Sequence, residues 1–342
     1  MVKTIGIVSL SMGILGEDFM KHEVENGLRR LNDMGLEVRF MPNSMKGVEF
    51  IEAHPGKRAE DLLEALRDPE IDMILCAIGG DDTYRLAPYL FDNNELAKAA
   101  CDKVFLGFSD TTLNHFMLHK AGMKSFYGQA FLPDICELSP DMLPYTRKYF
   151  EELIATGTIK EITPADTWYE QRESFGTDQI GVSLPAHQNV GFELLQGPSR
   201  FSGKILGGCI DSMYDMFDGE RYSDMPGLCE KYQLFPKAED WKDRIILLES
   251  SEEKMPPEKY RKALEYLKER GIFDAVSGVL VGKPMDGAFE EEYKELLVEV
   301  IDDPQLSVLC NINIGHALPH CIIPFGMDAA VNAEKQVIRF KG

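Results

Sequence analysis

The sequence predicts an α/β protein with two domains. An N-terminal parallel-sheet domain of the flavodoxin or amidotransferase-like type is followed by a C-terminal mixed α/β domain. Three observations support this: β-prone apolar runs alternate with helical periodicity up to residue 160, a polar stretch rich in glycine and proline follows, and strands and helices resume after residue 200. The predicted division is 1–160, a linker and lid at 161–200, and 201–342. A chain of 342 residues is long enough for two domains.

The first domain is read as a series of βα units. Its predicted strands are 5–10, 37–41, 73–78 and 104–108. Its predicted helices are 19–31, 59–66, one after Asp82, one after Ser109, and 142–156. Strands that alternate with helices predict a parallel sheet covered on both faces, with ligands bound beyond the carboxyl ends of the strands.

The second domain has the same alternation in less regular form. Predicted strands lie at 205–209, 244–248, 276–281 and 308–314. Predicted helices are a short one through Met216, then 258–270 with Gly271 at its C-terminal cap, and 290–302. Glu249 and His316 each come directly after one of these strands.

Composition excludes several classes of protein. The formal charge of −21 opposes binding to nucleic acid or anionic lipid. No stretch approaches the roughly 18 consecutive apolar residues of a membrane span, and the N-terminus is interpreted as the first core strand, not as a signal peptide. The seven cysteines are scattered and never in C-x-x-C spacing. They indicate neither a disulfide framework nor a zinc site, and the predicted compartment is the cytoplasm.

Ser109 lies where a predicted strand passes directly into a predicted helix. Hydrolases present a nucleophilic hydroxyl at such a turn, because the first free amides of the helix stabilise an oxyanion beside it. The match to G-x-S-x-G is partial: Gly107 fits, but Thr111 replaces the second glycine. The alternative is that Ser109 is only the N-cap of the helix.

Ser109, Glu249 and His316 each follow a strand-like run, in the chain order serine, acid, histidine. This is one of the orders in which a serine triad is built. Alternatives remain for the last two. Glu249 begins an acidic stretch that is often solvated, and His316 with His320 suggests a metal pair, although no third ligand has a recognisable spacing. No metal is predicted. His115 and His119, four residues apart, are interpreted as helix-surface residues.

Several motifs together resemble the LD-carboxypeptidase family of serine peptidases, which includes the microcin C immunity peptidases. The matching segments, in family order, are Ile78-Gly79-Gly80, Gly107-Phe108-Ser109-Asp110-Thr111-Thr112, Phe126-Tyr127-Gly128, Gly203-Lys204-Ile205-Leu206-Gly207-Gly208-Cys209, Leu247-Leu248-Glu249-Ser250-Ser251-Glu252-Glu253, Gly271-Ile272-Phe273, Gly315-His316 and Ile323-Pro324-Phe325-Gly326. The resemblance implies a nucleophile from the N-terminal domain and the glutamate and histidine from the C-terminal domain. The residues of this chain that match the family's nucleophile, glutamate and histidine are again Ser109, Glu249 and His316.

The resemblance also implies an oxyanion hole made by the backbone amides of Gly80 and Asp110. It implies a small peptide or aminoacyl-nucleotide substrate, no cofactor and a homodimer. The candidate substrate-binding residues are Trp168, Gly79 and Asp81. In the immunity peptidases a lid tryptophan stacks the adenine, and Trp168 lies in the matching stretch. The alternative role for Trp168 is structural, as an aromatic residue that packs within the lid or at a dimer contact.

Three functions remain open at this point. The first is an immunity-type peptidase that cleaves the amide between an amino acid or peptide and a modified nucleotide. The second is an LD-carboxypeptidase that removes the terminal D-Ala from murein tetrapeptide, although Ile78 replaces the arginine usual there. The third is a phosphofructokinase-like or NAD-kinase-like enzyme that uses Gly79-Gly80-Asp81-Asp82-Thr83 as a phosphate loop. A non-catalytic binding protein of the same fold is a further reading.

Overall fold

The computed structural model of the chain describes residues 1–341. The strands are β1 (Thr4–Val8), β2 (Glu37–Phe40), β3 (Met73–Cys76), β4 (Val104–Gly107), β5 (Ser125–Tyr127), β6 (Glu161–Ile162), β7 (Thr167–Tyr169), β8 (Ala186–Gln188), β9 (Glu193–Gln196), β10 (Arg200–Cys209), β11 (Arg244–Glu249), β12 (Gly278–Gly282), β13 (Val308–Ile312), β14 (Ile323–Phe325), β15 (Asp328–Asn332) and β16 (Val337–Lys341). The α-helices are α1 (Lys21–Asp33), α2 (Val48–Ala53), α3 (Pro55–Arg67), α4 (Ala87–Phe91), α5 (Glu95–Ala99), α6 (Thr111–Lys120), α7 (Pro144–Thr156), α8 (Ile210–Asp218), α9 (Met225–Tyr232), α10 (Pro257–Glu269), α11 (Ile272–Ala275) and α12 (Glu290–Ile301). In this part of the chain, no helix is long and apolar enough to cross a membrane.

The first sheet has the strand order β14-β5-β4-β3-β1-β2. Its strands β1 to β5 are parallel, in the order of flavodoxin-like sheets. Every residue of β3 and β4 is buried, because helices cover both faces of the sheet. The predicted N-terminal parallel sheet is therefore confirmed, and the loops after β3 and β4 leave its carboxyl edge side by side.

The second sheet has eight strands in the order β6-β16-β15-β10-β11-β12-β13-β9. Strands β10 to β13 are parallel and the outer pairings are antiparallel, which confirms the predicted mixed α/β character. Strands β6 and β9 come from the stretch predicted as linker and lid. Conversely, β14 comes from the predicted C-terminal domain but pairs with β5 in the first sheet. The second sheet therefore includes strands of the predicted linker and lid, and the first sheet includes one strand of the predicted C-terminal domain.

The rest of the predicted lid contains the two-stranded hairpin of β7 and β8. The Tyr169 amide donates a hydrogen bond of 3.0 Å to the carbonyl of Leu318, which follows His316 by two residues. The hairpin is thus attached to the loop that carries His316.

Helix α6 contacts β5 of the first sheet and β10 of the second, and one prediction about this helix is wrong. His115 was expected on the helix surface but is fully buried. Its Nδ1 lies 2.7 Å from Ser125 Oγ and its Nε2 lies 3.1 Å from the Gly107 carbonyl. Burial lowers the pKa of His115 to about 4, so the ring is a neutral part of the core. His119 is partly exposed.

Candidate active site

Ser109 occupies the turn between β4 and α6 in a conformation that is rare for serine. Its φ of 66° is in the left-handed region, as at the strained nucleophile turn of many hydrolases. The Ser109 amide donates a 3.1 Å hydrogen bond to Tyr127 Oη. The N-cap of α6 is Asp110, not Ser109. The capping alternative therefore does not describe this residue.

The structure brings Ser109, His316 and Glu249 into one hydrogen-bonded line. His316 Nε2 lies 3.1 Å from Ser109 Oγ, and His316 Nδ1 lies 2.8 Å from Glu249 Oε2. The Glu249 side chain is fully buried and that of His316 is 9% exposed. This is the geometry in which a histidine accepts a hydroxyl proton while a carboxylate fixes its tautomer.

Tyr127 connects the turn that carries Ser109 to Glu249. Its hydroxyl donates a hydrogen bond of 2.5 Å to Glu249 Oε1 while it accepts the one from the Ser109 amide. Burial and the nearby Glu249 carboxylate raise the pKa of Tyr127 well above its ordinary value, so the phenol keeps its proton. The tyrosine therefore fixes Glu249 and Ser109 relative to each other across the two sheets.

Two glycines allow close packing at this point. A Cβ at Gly79 would lie 2.6 Å from Ser109 Cβ, and one at Gly315 would lie 2.4 Å from Glu249 Oε2. Both distances are far below van der Waals contact. Gly79, a predicted substrate-binding residue, thus lies directly against Ser109.

A second carboxylate, Glu252, contacts the other nitrogen of His316. Its Oε2 lies 3.1 Å from His316 Nε2, and its side chain is 63% exposed. Burial alone would lower the pKa of His316, but Glu249 and Glu252 outweigh it and hold that pKa well above its usual value. The hydrogen bond with His316 lowers the pKa of Glu252 to about 2. The two carboxylates therefore both favour the protonated form of this imidazole.

The predicted oxyanion amides are free to bind a ligand. Within residues 1–341, neither the Gly80 amide nor the Asp110 amide donates a hydrogen bond. The Asp110 side chain is buried and accepts a 2.9 Å hydrogen bond from the Thr83 amide, and burial raises the pKa of Asp110 to about 7.

The aspartates of the Gly79–Asp82 loop are already engaged by protein groups. Asp82 forms a buried ion pair with Arg58 at 2.5 and 3.0 Å, and Ser11 Oγ accepts hydrogen bonds from the Asp81 and Asp82 amides. A phosphate loop needs free amides and an aspartate available for Mg²⁺. The loop geometry therefore does not support the kinase alternative.

One group of potential metal ligands lies at the site. Atoms of Cys209, Glu249 and His316 lie within 4.8 Å of one another. Glu249 and His316 are already bonded to each other, and burial raises the pKa of the Cys209 thiol well above its usual value, so this donor set does not suit a metal ion. His320, the other member of the suggested pair, bonds to Asp134 at 2.7 Å, and the Phe108 ring packs against both histidines.

The predicted substrate residues Trp168 and Asp81 lie on different elements. Trp168 in β7 is partly buried and stacks on His187 with ring centroids 4.4 Å apart, while Lys283 Nζ lies 5.0 Å from the indole centroid. Asp81 lines a cavity of about 130 Å³ that also contacts Ser109, here called the Ser109 cavity. Trp168 is not among the residues that line it.

Sequence reasoning missed Glu252 and Tyr127 as site residues. Glu252 was seen only as part of an acidic stretch, and Tyr127 only as part of a matching motif. The contact of Glu252 with His316 joins residues far apart in the chain. A tyrosine at a strand end next to the nucleophile turn was the one available signal.

Comparisons with known proteins agree with the motifs. Residues 5–128 match the family model of the LD-carboxypeptidase N-terminal domain, and residues 202–331 match that of the C-terminal domain. The microcin C7 self-immunity protein MccF of Escherichia coli is 26% identical over 290 residues, 82% of this chain and 77% of that protein. A probable murein peptide carboxypeptidase of Bacillus subtilis is 24% identical over 323 residues, 92% of this chain and 86% of that protein.

Solved structures extend the comparison. An MccF-like protein from Streptococcus pneumoniae, crystallised in complex with AMP, is 57% identical with a TM-score of 0.99, covering 100% of this chain and 99% of that one. MccF has been solved with aspartyl sulfamoyl adenosine and with glutamyl sulfamoyl guanosine. These structures are 22% identical to this chain with a TM-score of 0.79 and cover 99% of this chain and 96% of theirs, which shows a shared fold.

Proposed function

The chain belongs to the LD-carboxypeptidase family, and we propose that it is a serine hydrolase that cleaves the amide between an amino acid or peptide and a modified nucleotide. The observation that carries the hydrolase proposal is the line from Ser109 Oγ through His316 to Glu249, with distances of 3.1 and 2.8 Å. Peptidase activity at the level of the family follows from membership itself.

In the proposed mechanism Ser109 Oγ attacks the scissile carbonyl carbon while His316 Nε2 takes the hydroxyl proton. The Gly80 and Asp110 amides stabilise the oxyanion; removing one such donor typically costs about 10²–10³ in rate. His316 then gives the proton to the leaving amine, and an acyl-enzyme forms on Ser109. Water attacks this ester with His316 again as the base, releasing the acid and regenerating the serine.

Glu249 and Glu252 have opposite effects on the proposed reaction. Glu249 holds the Nδ1 proton and stabilises the imidazolium that forms during attack. Glu252 stabilises the same imidazolium before attack, when the base must be neutral. Catalysis therefore requires that the contact between Glu252 and His316 opens, which the exposed position of Glu252 permits.

The nucleotide part of the proposed substrate is supported by the 57% identical S. pneumoniae protein, whose crystal contains AMP. Trp168 is our candidate for stacking the base. Its indole packs on His187, its cross-strand partner in the β7–β8 hairpin, and this hairpin is attached to the loop of His316. A stacked base contributes roughly 1–3 kcal/mol in other proteins.

Cleavage of murein tetrapeptide is the second candidate, and the B. subtilis relative favours it. The residue at position 78 opposes it. Ile78 lines a largely apolar cavity of about 770 Å³, and its side chain offers no cation to a substrate carboxylate. The cations that line the same cavity are already paired, Lys21 with Asp18 at 2.8 Å and Arg172 with Glu137 at 2.6 Å.

A two-substrate assay separates these candidates. The wild-type protein would be incubated with an aminoacyl sulfamoyl adenosine and, separately, with murein tetrapeptide, and products would be followed by mass spectrometry. We expect release of the free amino acid from the first and much slower release of D-Ala from the second. Activity on the tetrapeptide alone would replace the proposed substrate with murein, and activity on neither would overturn the proposal.

A further inference from the structure

The Ser109 cavity is suited to a side chain close to the scissile bond. Its volume of about 130 Å³ is too small for a nucleoside, and Ser109, Gly80 and Asp110 are all among the residues that line it. A carbonyl group held by Ser109 and the two free amides therefore has its neighbouring substituent in this cavity.

Carboxylates dominate the walls of the cavity. The acidic side chains that line it, apart from Asp110, are those of Asp81, Asp211, Asp215, Glu252 and Glu253. Arg221 is the only cationic side chain among the described residues that line it. Negative charge is therefore in clear excess over positive charge.

Arg221 is not available to an acidic ligand. Its guanidinium contacts Asp81 at 3.1 Å, Asp215 at 3.2 Å and Glu253 at 2.5 Å, so three carboxylates already surround it. The nearby Lys259 is likewise occupied by Asp215 at 3.6 Å and by Asp218 at 3.7 Å. A carboxylate entering the cavity would meet like charges without a free cation to pair with.

The charge also decides which part of the substrate enters. The phosphate or sulfamoyl side of a nucleotide leaving group would be repelled, so the acyl residue occupies the cavity. We propose that this cavity selects an acyl residue whose side chain carries an ammonium or guanidinium group, as in lysine, a diamino acid or arginine. This inference rests on the proposed hydrolase function and names its substrate class.

Two of the carboxylates can reach such a cation directly. The side chains of Glu252 and Glu253 are 63% and 55% exposed, whereas Asp211 is buried and accepts hydrogen bonds from Ser251 N and Oγ. A substrate ammonium that pairs with Glu252 competes with His316 for that carboxylate. The preferred substrate thereby helps to free the base, which links selectivity to kcat as well as to KM.

The proposed preference is opposite to the ligands crystallised with MccF. Those ligands carry aspartyl and glutamyl groups, which are anionic. The two proteins share a fold at 22% identity, so a difference in the charge of this cavity is compatible with the common framework.

The test is a series of three aminoacyl sulfamoyl adenosines that differ in side-chain charge: lysyl, the near-isosteric neutral norleucyl, and glutamyl. We expect kcat/KM for lysyl to exceed that for norleucyl by about tenfold or more, with glutamyl lowest, and the gap to narrow at high salt. Glu253→Gln should reduce the lysyl-to-norleucyl ratio by several fold. Glu299→Gln, an exposed partner of Arg261 on α12, is the matched control and should leave the ratio unchanged.

Each other outcome has a distinct meaning. Hydrolysis of all three substrates at similar rates, or a preference for glutamyl, would overturn the charge inference and leave the hydrolase proposal standing. A lysyl preference that Glu253→Gln and Glu299→Gln affect equally would overturn the assignment to the Ser109 cavity. Hydrolysis of none would overturn the proposed function together with this inference.

Discussion

The two sheets contribute to the candidate site in different ways. The N-terminal sheet presents Ser109 on a turn with a φ of 66°, with Gly79 packed against it. The C-terminal sheet presents the charged groups: Glu249 at the end of β11 and His316 beyond β13. One half thus fixes the position of a hydroxyl through its backbone, and the other half sets the protonation state of the base through charge.

This difference predicts how substitutions in each half will fail. Changes in the N-terminal half should remove the reacting atom or displace it, whatever the pH. Changes in the C-terminal half should alter proton transfer, and so they should alter the pH profile or the charge selectivity.

The largest effect is expected for Ser109→Ala, which removes the proposed attacking oxygen. The kcat on an aminoacyl sulfamoyl adenosine should fall by about 10⁴–10⁶, and adding His316→Ala should lower it little further, because the residues act as one unit. Ser223→Ala removes an exposed hydroxyl and serves as the control. Independent, additive losses for the two substitutions would mean that the halves do not form a single unit.

The next effect tests the C-terminal half. Glu249→Gln keeps the shape of the side chain but removes the charge that stabilises the imidazolium and selects its tautomer, so kcat should fall by roughly 10³–10⁴. Circular dichroism would check that the buried substitution leaves the fold intact. If the folded variant retains wild-type kcat, the interpretation of Glu249 is wrong.

A smaller effect is expected at Trp168 in the predicted lid, which contributes no residue to the proposed triad. Trp168→Ala should reduce kcat/KM for aminoacyl adenylate analogues by about 5- to 150-fold through loss of base stacking. Trp168→Phe, which keeps an aromatic ring, should recover part of this. Equal losses on murein tetrapeptide, which has no base, would mean instead that Trp168 orders the lid.

The smallest and most specific effect concerns Glu252 and pH. Because the pKa of His316 is raised, the neutral base appears only as the pH rises through that value, and kcat/KM should rise over the same range. Glu252→Gln removes one of the two negative charges and keeps Glu249, so the rising limb should move to lower pH. Glu253→Gln, the neighbouring residue, is the control.

This profile would be recorded with a norleucyl substrate, because a charged side chain would itself interact with Glu252. An unchanged profile in Glu252→Gln would mean that the contact between Glu252 and His316 does not set the state of the base. A shift of equal size in Glu253→Gln would mean that the total negative charge of the acidic loop, and not the contact of Glu252 with His316, raises the pKa of the base.

Much of this arrangement was predictable, because strand ends can be read from local sequence. Ser109, Glu249 and His316 each follow an apolar run, and the parallel order of the first sheet followed from its alternating pattern. The relative placement of the two sheets could not be inferred from local sequence, because it depends on contacts between residues far apart in the chain. The return of β14 to the first sheet, the contact of the buried His115 with Phe325 of that strand, and the second carboxylate on His316 all depend on that placement.

In the proposed mechanism, His316 in one half of the molecule activates Ser109 in the other. A fluorophosphonate probe tests it most directly, since the probe reacts with an activated serine and its adduct can be located by peptide mass spectrometry. We predict a single adduct on Ser109 in the wild type and labelling slowed by orders of magnitude in His316→Ala, with Ser109 still present. Labelling of Ser109 at the same rate in both proteins, or labelling of another serine instead, would contradict the account.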